Sequence, residues 1–388
     1  MKKIAKVVLA SMVVTSFLAV SMSVGFAQAP KKEEKFGADQ RAVEWKNKKW
    51  DTSQKKITWR MSDPWGGLLF HDFAIHFADS VRAASGGRLD IKVFQSGAIV
   101  PAMETFEAVS KGTLDIGHAW AGYWKGKNEA FVLFGSVPFG LDYEGYNIWY
   151  YERGGKKMLD DLYAPFNMVG FFCGNSGQEL GLYSNKRATK MDDFKGMKIR
   201  TVGWYMDILN NLGASVTPLP GPEIYLALER GVIDGAEFSS PSINMPQGFH
   251  EITKYVIEPG IHQPACQTDI FINKDRWNEL PDDLKAIVEL CAKETQLWSY
   301  SWIEQLNVKA LEEMKKKVEY VQMDDATLIE FAKVSHDYLE QLKTKNADVK
   351  KILDSQELFM KDYAPWREMR GRATPWPYED YIKGKLKQ

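Results

Sequence analysis

Two stretches of the sequence decide the fold, because one repeats the other: ETFEAVSKGTLD (Glu104–Asp115) and EIYLALERGVID (Glu223–Asp234). Glutamate, aromatic, alanine, aliphatic, basic, glycine, aliphatic and aspartate positions coincide along the alignment. Each copy predicts a helix that ends at a glycine, Gly112 or Gly231, and then turns into a buried strand. One such unit is common in proteins, but two copies of this length in one chain predict two similarly built lobes.

The region before the first copy indicates the class of fold. Ile57–Met61 and Leu89–Val93 are β-prone runs, and apolar residues recur between them at helical spacing. The order strand, helix, strand is typical of a parallel sheet with helices on its faces. We therefore expect an α/β protein, with a further long helix from Leu284 to about Lys317.

Composition excludes several classes of function. In 388 residues, 50 Lys and Arg nearly balance 51 Asp and Glu, so no basic field exists for a nucleic acid or an anionic membrane. Three cysteines without a CxxC pair or a Cys/His cluster argue against structural zinc. Cys173 and Cys266 flank the segments expected to connect the lobes, and the sequence leaves open whether they form a disulfide or stay buried thiols.

The N-terminus resembles a secretory signal peptide. Lys2 and Lys3 precede the apolar run Ile4–Val20, and small residues continue to Ala27, after which we expect cleavage. An uncleaved membrane anchor is the alternative. Residues 28–54 are predicted to be a polar, flexible lead-in, and the mature protein is predicted to be exported.

The sequence favours binding over catalysis. It has no HExxH, no phosphate-binding loop and no GxSxG elbow, since Gly174-Asn175-Ser176-Gly177 does not match that pattern. His118–Trp120 and Glu237–Phe238 follow the two repeats, at the carboxyl ends of strands, where open α/β sheets bind ligands. We therefore expect both segments to face one cleft.

Arg200 is the strongest single candidate in that cleft. It ends a short predicted strand, and its planar guanidinium can hold a carboxylate through two parallel hydrogen bonds. The alternative is a surface arginine that pairs with Asp192 or Asp193.

Three oxygen-bearing side chains suggest a cation site. Glu179, Glu237 and Gln263 each follow a predicted strand or turn, and oxygen ligands suit a hard ion such as Na⁺ or Ca²⁺. Solvated loop residues are the alternative. Strand alternation lets only one of Gln178 and Glu179 face the cleft, and the sequence does not say which.

A series of separate motifs resembles a known family, over about residues 55–320. It is similar to the substrate-binding subunit of tripartite ATP-independent periplasmic (TRAP) transporters, in the branch that takes 2-oxo and 2-hydroxy monocarboxylates. The motifs are Phe94–Pro101, Lys111–His118, Pro138–Leu141, Gly174–Gly177, Phe194–Arg200, Arg230–Glu237 and Pro259–Gln263.

The resemblance implies a bilobed periplasmic-binding-protein (type II-like) fold with hinge strands and a long connecting helix. Lobe I would contain residues 55–173 and 268–300, and lobe II residues 174–267. Residues 301–388 would form C-terminal helices and an aromatic tail that pack on the lobes.

The resemblance also assigns roles in the site. Arg200 would clamp the carboxylate, and Glu237 would hold the cation together with the backbone carbonyl of Phe238. The family's glutamine falls at Glu179 and its glutamate at Gln263, so the two residue types exchange places. The predicted substrate-binding residues are Arg200, Glu179, Gln178, Asn175, Tyr123, Trp124, Phe238 and His118, and the predicted metal ligands are Glu237, Phe238, Gln263 and Glu179.

These expectations describe capture without chemistry. A small organic acid would enter the cleft, the lobes would close, and TRAP membrane permease subunits would receive the ligand from the periplasm. A homodimer through the C-terminal helices is a further expectation. The alternatives are an exported sensor module for a signalling partner and a secreted hydrolase or lyase.

Overall fold

The computed structural model describes residues 56–373. The predicted signal peptide and lead-in, residues 1–54, lie outside the described residues. So do Trp376, Tyr378 and Tyr381 of the predicted aromatic tail. The strands are β1 (Ile57–Ser62), β2 (Leu89–Phe94), β3 (Ile116–Ala119), β4 (Met168–Asn175), β5 (Leu182–Ser184), β6 (Lys198–Arg200), β7 (Ser215–Val216), β8 (Gly235–Ala236), β9 (Tyr255–Glu258), β10 (Gln267–Asn273) and β11 (Glu319–Gln322).

Helices occupy most of the remaining described chain, together with short 3₁₀ turns. They are α1 (Leu69–Ala84), α2 (Thr105–Ser110), α3 (Tyr143–Glu152), α4 (Gly155–Tyr163), α5 (Gly203–Asn211), α6 (Ile224–Glu229), α7 (Pro241–Asn244), α8 (Phe249–Ile252), α9 (Lys274–Asn278), α10 (Asp282–Met314), α11 (Asp325–Lys345) and α12 (Ala347–Ala373). Among residues 56–373, none of these helices is both long enough and apolar enough to cross a bilayer.

The strands form two sheets. The first has the order β2-β1-β3-β10-β4, and the second has the order β11-β9-β5-β8-β6-β7. In the first sheet β1 is parallel to β2 and β3, whereas β10 is antiparallel to both β3 and β4. The expectation of a parallel sheet is therefore wrong for β10, because this strand enters the first sheet from the second rather than through a crossover helix.

The repeat in the sequence is a repeat in the structure. The first copy forms α2, turns at Gly112 and continues into β3, and the second forms α6, turns at Gly231 and continues into β8. Both glycines have left-handed φ angles, +76° and +66°, which a residue with a side chain rarely adopts. The same helix, glycine turn and strand therefore occur once in each sheet.

Two connections join the sheets and run side by side. One follows β4 and the other precedes β10, and they are bonded from Ser176 N–H to the Cys266 carbonyl and from Glu179 N–H to the Gln263 carbonyl. Cys173 and Cys266 lie on these strands and connections as free, buried thiols. No disulfide joins them in the structure.

Helix α10 touches both sides of the molecule. It begins and ends within three residues of the predicted helix and packs against β4 of the first sheet and against α7 of the second lobe's helical layer. Ser299 accepts a hydrogen bond from Asn175 N–H, and Asn307 accepts one from Ser242 N–H. These bonds tie one helix to both parts of the chain that surround the cleft.

Aromatic residues on α10 pack mainly on α1. Trp298 and Trp302 stack on each other, with ring centroids 4.9 Å apart, and both contact Phe73. Trp298 also stacks on His76 at 3.7 Å. On α12, by contrast, Trp366 is 52% exposed.

Candidate functional site

A narrow cleft lies between the two sheets, beside the connections that join them. Val202 and Gln263 also line an adjoining small cavity, together with His262. A hydrogen bond also joins the parts of the chain on the two sides of the cleft. Trp204 of α5, beside the second sheet, donates its indole N–H to Glu129, which lies between β3 and β4 of the first sheet, at 2.7 Å. The cleft is lined by Trp65, Phe70, Trp120, Tyr123, Glu179, Arg200, Val202, Phe238, Gln263 and Cys266.

Arg200 ends β6 and is 1% exposed. Its Nε donates to the Leu219 carbonyl at 3.0 Å, and its Nη1 donates to the Glu237 carbonyl at 2.7 Å and to Glu237 Oε1 at 3.0 Å. The guanidinium carbon lies 5.5 Å from the ring centroid of Phe238. A surface ion pair with a neighbouring acid, the alternative left by the sequence, is therefore wrong.

The second sheet and the connections bring Glu179 and Glu237 together around one imidazole. His262 Nε2 lies 3.2 Å from Glu179 Oε2 and 3.3 Å from Glu237 Oε2. Gln263 Nε2 donates to Glu179 Oε2 at 2.7 Å. Both carboxylates are buried, 2% and 1% exposed, so they are not solvated loop residues.

The electrostatics of this cluster follow from burial and pairing. Burial raises the pKa of Glu179. Burial acts to raise the pKa of Glu237, but the Arg200 guanidinium, His262 and a hydrogen bond from Thr201 together outweigh that effect and hold this pKa below its usual range. For His262, burial acts to lower the pKa, and the two carboxylates overcome it and raise the pKa to about 9. A positive charge is therefore favoured between Glu179 and Glu237.

The donor set fits a hard cation. Two buried oxygens, Glu179 Oε1 and Gln263 Oε1, have no hydrogen-bond partner among the described residues, and Glu237 Oε2 makes the 3.3 Å ion-pair contact with His262. Ligand atoms of Glu179, Glu237 and His262 all lie within 4.8 Å of one another. Carboxylate and amide oxygens suit Ca²⁺ or Na⁺, and an unpartnered buried oxygen is costly unless such a partner is supplied.

The first-sheet side of the cleft is aromatic. Trp65 and Phe70 stack with centroids 4.6 Å apart, and Phe70 meets Phe238 of the opposite side edge-on at 6.3 Å. Tyr123 is half-buried and accepts a hydrogen bond from Trp65 Nε1 at 3.2 Å. Burial raises the pKa of Tyr123 to about 12, so the phenol keeps its proton.

Four predicted binding residues do not line this cleft. Gln178 is exposed, whereas Glu179, whose N–H bonds to the Gln263 carbonyl of the other connection, is buried. His118 is fully buried behind Trp65 and bonds through Nε2 to the Cys173 carbonyl and to Thr268, at 3.1 and 3.0 Å. The other two residues, Trp124 and Asn175, are also buried away from it.

The last two have structural partners. Trp124 packs on Phe106 and Phe271 in the core of the first lobe. Asn175 Nδ2 donates to Gln267 at 3.1 Å, and its Oδ1 accepts from Gly177 N–H at 2.7 Å, which fixes the start of one connection. Asn175 therefore shapes the hinge.

Several residues at the site have no binding role predicted from the sequence. Trp65 and Phe70 lie in and just after the turn that follows β1, and Cys266 lies in a connection. His262 immediately precedes Gln263, and that adjacency was a usable signal. Trp65 had a signal as well, since it follows the carboxyl end of a parallel strand.

The comparison with known families decides the class of protein. The family model for bacterial extracellular solute-binding proteins, family 7, matches residues 67–346. The chain belongs to this family. A monocarboxylate 2-oxoacid-binding periplasmic protein from Nostoc sp. is 31% identical over 84% of this chain and 89% of its own length. The resemblance to TRAP solute-binding subunits is confirmed.

Solved structures confirm the bilobed fold. A TRAP solute-binding protein from Bordetella bronchiseptica, a mixed-occupancy dimer with copurified calcium and picolinate, matches with a TM-score of 0.81 and 27% identity, over 86% of this chain and 98% of its own. One from Colwellia psychrerythraea, with bound calcium and pyruvate, matches with a TM-score of 0.79 and 30% identity, over 82% and 98%. These relatives are solute receptors.

Proposed function

We propose that this protein captures a small 2-oxo or 2-hydroxy monocarboxylate together with a hard cation, Ca²⁺ or Na⁺, and presents it to TRAP permease subunits. One observation carries the proposal: a buried guanidinium, Arg200, lies beside a buried set of cation-seeking oxygens in one cleft. The calcium and pyruvate bound by the Colwellia protein support the same combination.

In this proposal, different residues of the cleft bind the carboxylate, the second ligand oxygen and the cation. Arg200 binds the carboxylate through Nη2, because its Nε and Nη1 protons are used by the Leu219 carbonyl and by Glu237, which fix the position of the guanidinium. Tyr123 donates its phenol O–H to a second ligand oxygen. Glu179, Glu237 and Gln263, with the Phe238 carbonyl, hold the cation, which neutralises the carboxylates and attracts the ligand's oxygens.

The charges of the cleft favour a single carboxylate. Arg200 contributes one positive charge and Glu179 and Glu237 contribute two negative charges. With a divalent cation in place of the imidazolium of His262, the sum is +1 before the ligand enters. A monocarboxylate neutralises that charge, whereas a dicarboxylate leaves one buried negative charge unpaired, which is costly.

The two sheets, with their helices, act as lobes I and II in this proposal. The parallel connections at Ser176–Glu179 and Gln263–Cys266 act as the hinge, and α10 supports both lobes. Closure excludes water and strengthens the contacts to Arg200 and the cation.

The remaining expectations belong to the same proposal. The relatives are periplasmic receptors, and we infer that this chain is exported after cleavage of residues 1–27 and binds its ligand without converting it. The Bordetella relative is a dimer, which supports a homodimer for this chain; that the C-terminal helices form its interface remains our proposal.

Calorimetric titration of the calcium-loaded protein tests the function. We expect pyruvate to bind with one site per chain, and succinate to bind at least about 100-fold more weakly, since it buries an unpaired charge. Pyruvate should be recovered chemically intact. Tight succinate binding without pyruvate binding, or turnover of pyruvate, would contradict the proposal.

A further inference from the structure

A chain of hydrogen bonds leads from the core of the first lobe to the ligand side of the cleft. Trp65 Nε1 donates to the Tyr123 oxygen at 3.2 Å, and both residues line the cleft. Trp65 is 2% exposed. The phenol oxygen of Tyr123 is therefore already accepting one hydrogen bond before any ligand arrives.

Trp65 is held firmly in this position. Its backbone N–H donates to Asp63 Oδ1 at 2.9 Å, while Asp63 Oδ2 pairs with His71 Nδ1 at 2.5 Å. Asp63 is completely buried, and the indole is packed between the rings of Phe70 and His118. The turn after β1 thus aims the indole N–H at Tyr123.

This bond limits what Tyr123 can do. A phenol oxygen accepts well along one in-plane direction and donates one proton. Because the Trp65 indole occupies the accepting direction, Tyr123 can only donate to the ligand. A ligand oxygen that faces Tyr123 must therefore act as an acceptor.

The surroundings offer little else to a ligand proton. Phe70 and Phe238 are apolar, and the oxygens of Glu179, Glu237 and Gln263 are assigned to the cation. A 2-oxo oxygen has two lone pairs, one for the cation and one for Tyr123. A 2-hydroxyl also carries a proton, and with those oxygens bound to the cation, no side chain among the described residues that line the cleft is left to accept it.

We propose that Trp65 is a specificity-determining positioning residue that makes the cleft select 2-oxo over 2-hydroxy monocarboxylates by holding Tyr123 as a donor only. This inference rests on the proposed function and decides between the two ligand classes that it leaves open. Asp63 and His71 serve it by fixing the turn.

The test compares pyruvate with L-lactate by calorimetry at saturating calcium. In the wild type we expect lactate to bind about tenfold or more weakly, the cost of one unsatisfied buried O–H. Trp65→Phe frees the phenol to accept, so the ratio of the two dissociation constants should fall to about threefold or less. Trp59→Phe is the matched control, because this buried indole N–H has no partner among the described residues and lies in a separate core cluster.

The outcomes are distinct. Equal affinities of the wild type for the two acids, or an unchanged ratio in Trp65→Phe, would overturn the inference while leaving the proposed function intact. Should Trp65→Phe fail to fold, Tyr123→Phe decides, since it removes the donor and must weaken pyruvate binding about tenfold; unchanged pyruvate affinity would overturn the inference. If the wild type binds neither acid, the proposed function itself fails.

Discussion

The two walls of the cleft differ in kind. The first-lobe wall consists of neutral aromatic rings, among them Trp65, Phe70 and Tyr123, whereas the second-lobe wall carries the charges of Arg200 and Glu237. Glu179 of the connection adds a further carboxylate. We expect the charged wall to supply most of the affinity for any acid and the aromatic wall to set the preference between acids. Changes to the charges should weaken every acid, and a change at Trp65 should alter which acid is preferred.

The largest effect is expected on the charged wall, from Arg200→Lys. Lysine keeps the charge beside Glu237, but one ammonium group cannot bond the Leu219 and Glu237 carbonyls and the ligand carboxylate at the same time as the three nitrogens of the guanidinium do. Pyruvate affinity should fall at least about 100-fold, by about 3 kcal/mol or more in a calorimetric titration.

Arg187→Lys is the control for this substitution, because Arg187 is an exposed arginine with only a 3.8 Å contact to Glu319. Its affinity should match that of the wild type. Normal pyruvate binding by Arg200→Lys would show that the guanidinium does not bind the ligand carboxylate.

A buried carboxyl behind the aromatic wall should make stability depend on pH. Asp269 of β10 accepts a hydrogen bond from Tyr163 at 2.5 Å, and burial raises its pKa to about 7. The folded state therefore holds this proton more tightly than the unfolded state. Its stabilising contribution is complete below pH of about 4 and is lost as pH rises towards 7, by about 1.4 kcal/mol per pH unit.

Asp269→Asn removes that slope. Between pH 5 and 7, the free energy of unfolding of the variant, measured in urea, should rise relative to the wild type by about 1.4 kcal/mol per pH unit. Asp192→Asn, at an exposed carboxyl, should show no such gain. Parallel pH profiles for Asp269→Asn and the wild type would show that the carboxyl titrates normally.

Glu179→Gln tests whether Glu179 is a ligand of the cation. The amide keeps the shape and one oxygen but removes a negative charge from the cation ligands. Calcium affinity, measured by competition with a chelator, should fall at least about tenfold. Glu319→Gln, at an exposed glutamate, is the control. Calcium affinity that is equal in both variants would place the cation elsewhere.

The smallest effect is expected from Gln178→Ala, at the residue that precedes Glu179. Gln178 is exposed while Glu179 faces the cleft. The free energies of pyruvate binding and of unfolding should both stay within about 0.5 kcal/mol of the wild type. A tenfold loss of affinity would mean that the connection can present its other face to the ligand.

Local patterns predicted much of the fold and one essential part of the site. The repeated helix, glycine and strand are confirmed, since the turns at Gly112 and Gly231 depend only on neighbouring residues. Arg200 was found because a strand end that precedes a helix is a local feature. Its partner Glu237 was found because it follows the second repeat at the same distance as His118 follows the first.

The sequence could not supply the contacts that depend on distant pairing. His118 stands on the correct strand, but pairing of β3 with β10 turns its side chain to the back of Trp65. Whether Gln178 or Glu179 faces inward depends on the register between the two connections. The Trp65–Tyr123 bond joins residues 58 positions apart, and no local pattern specifies it.

The central claim is that a guanidinium and a cation hold the acid together, and one measurement tests it most directly. Pyruvate is titrated calorimetrically into the wild-type protein in sodium-free buffer with a chelator, and again after calcium is restored. We expect weak or undetectable pyruvate binding without the cation, and tight binding of one pyruvate per chain once calcium is present. The same dissociation constant under both conditions would contradict it.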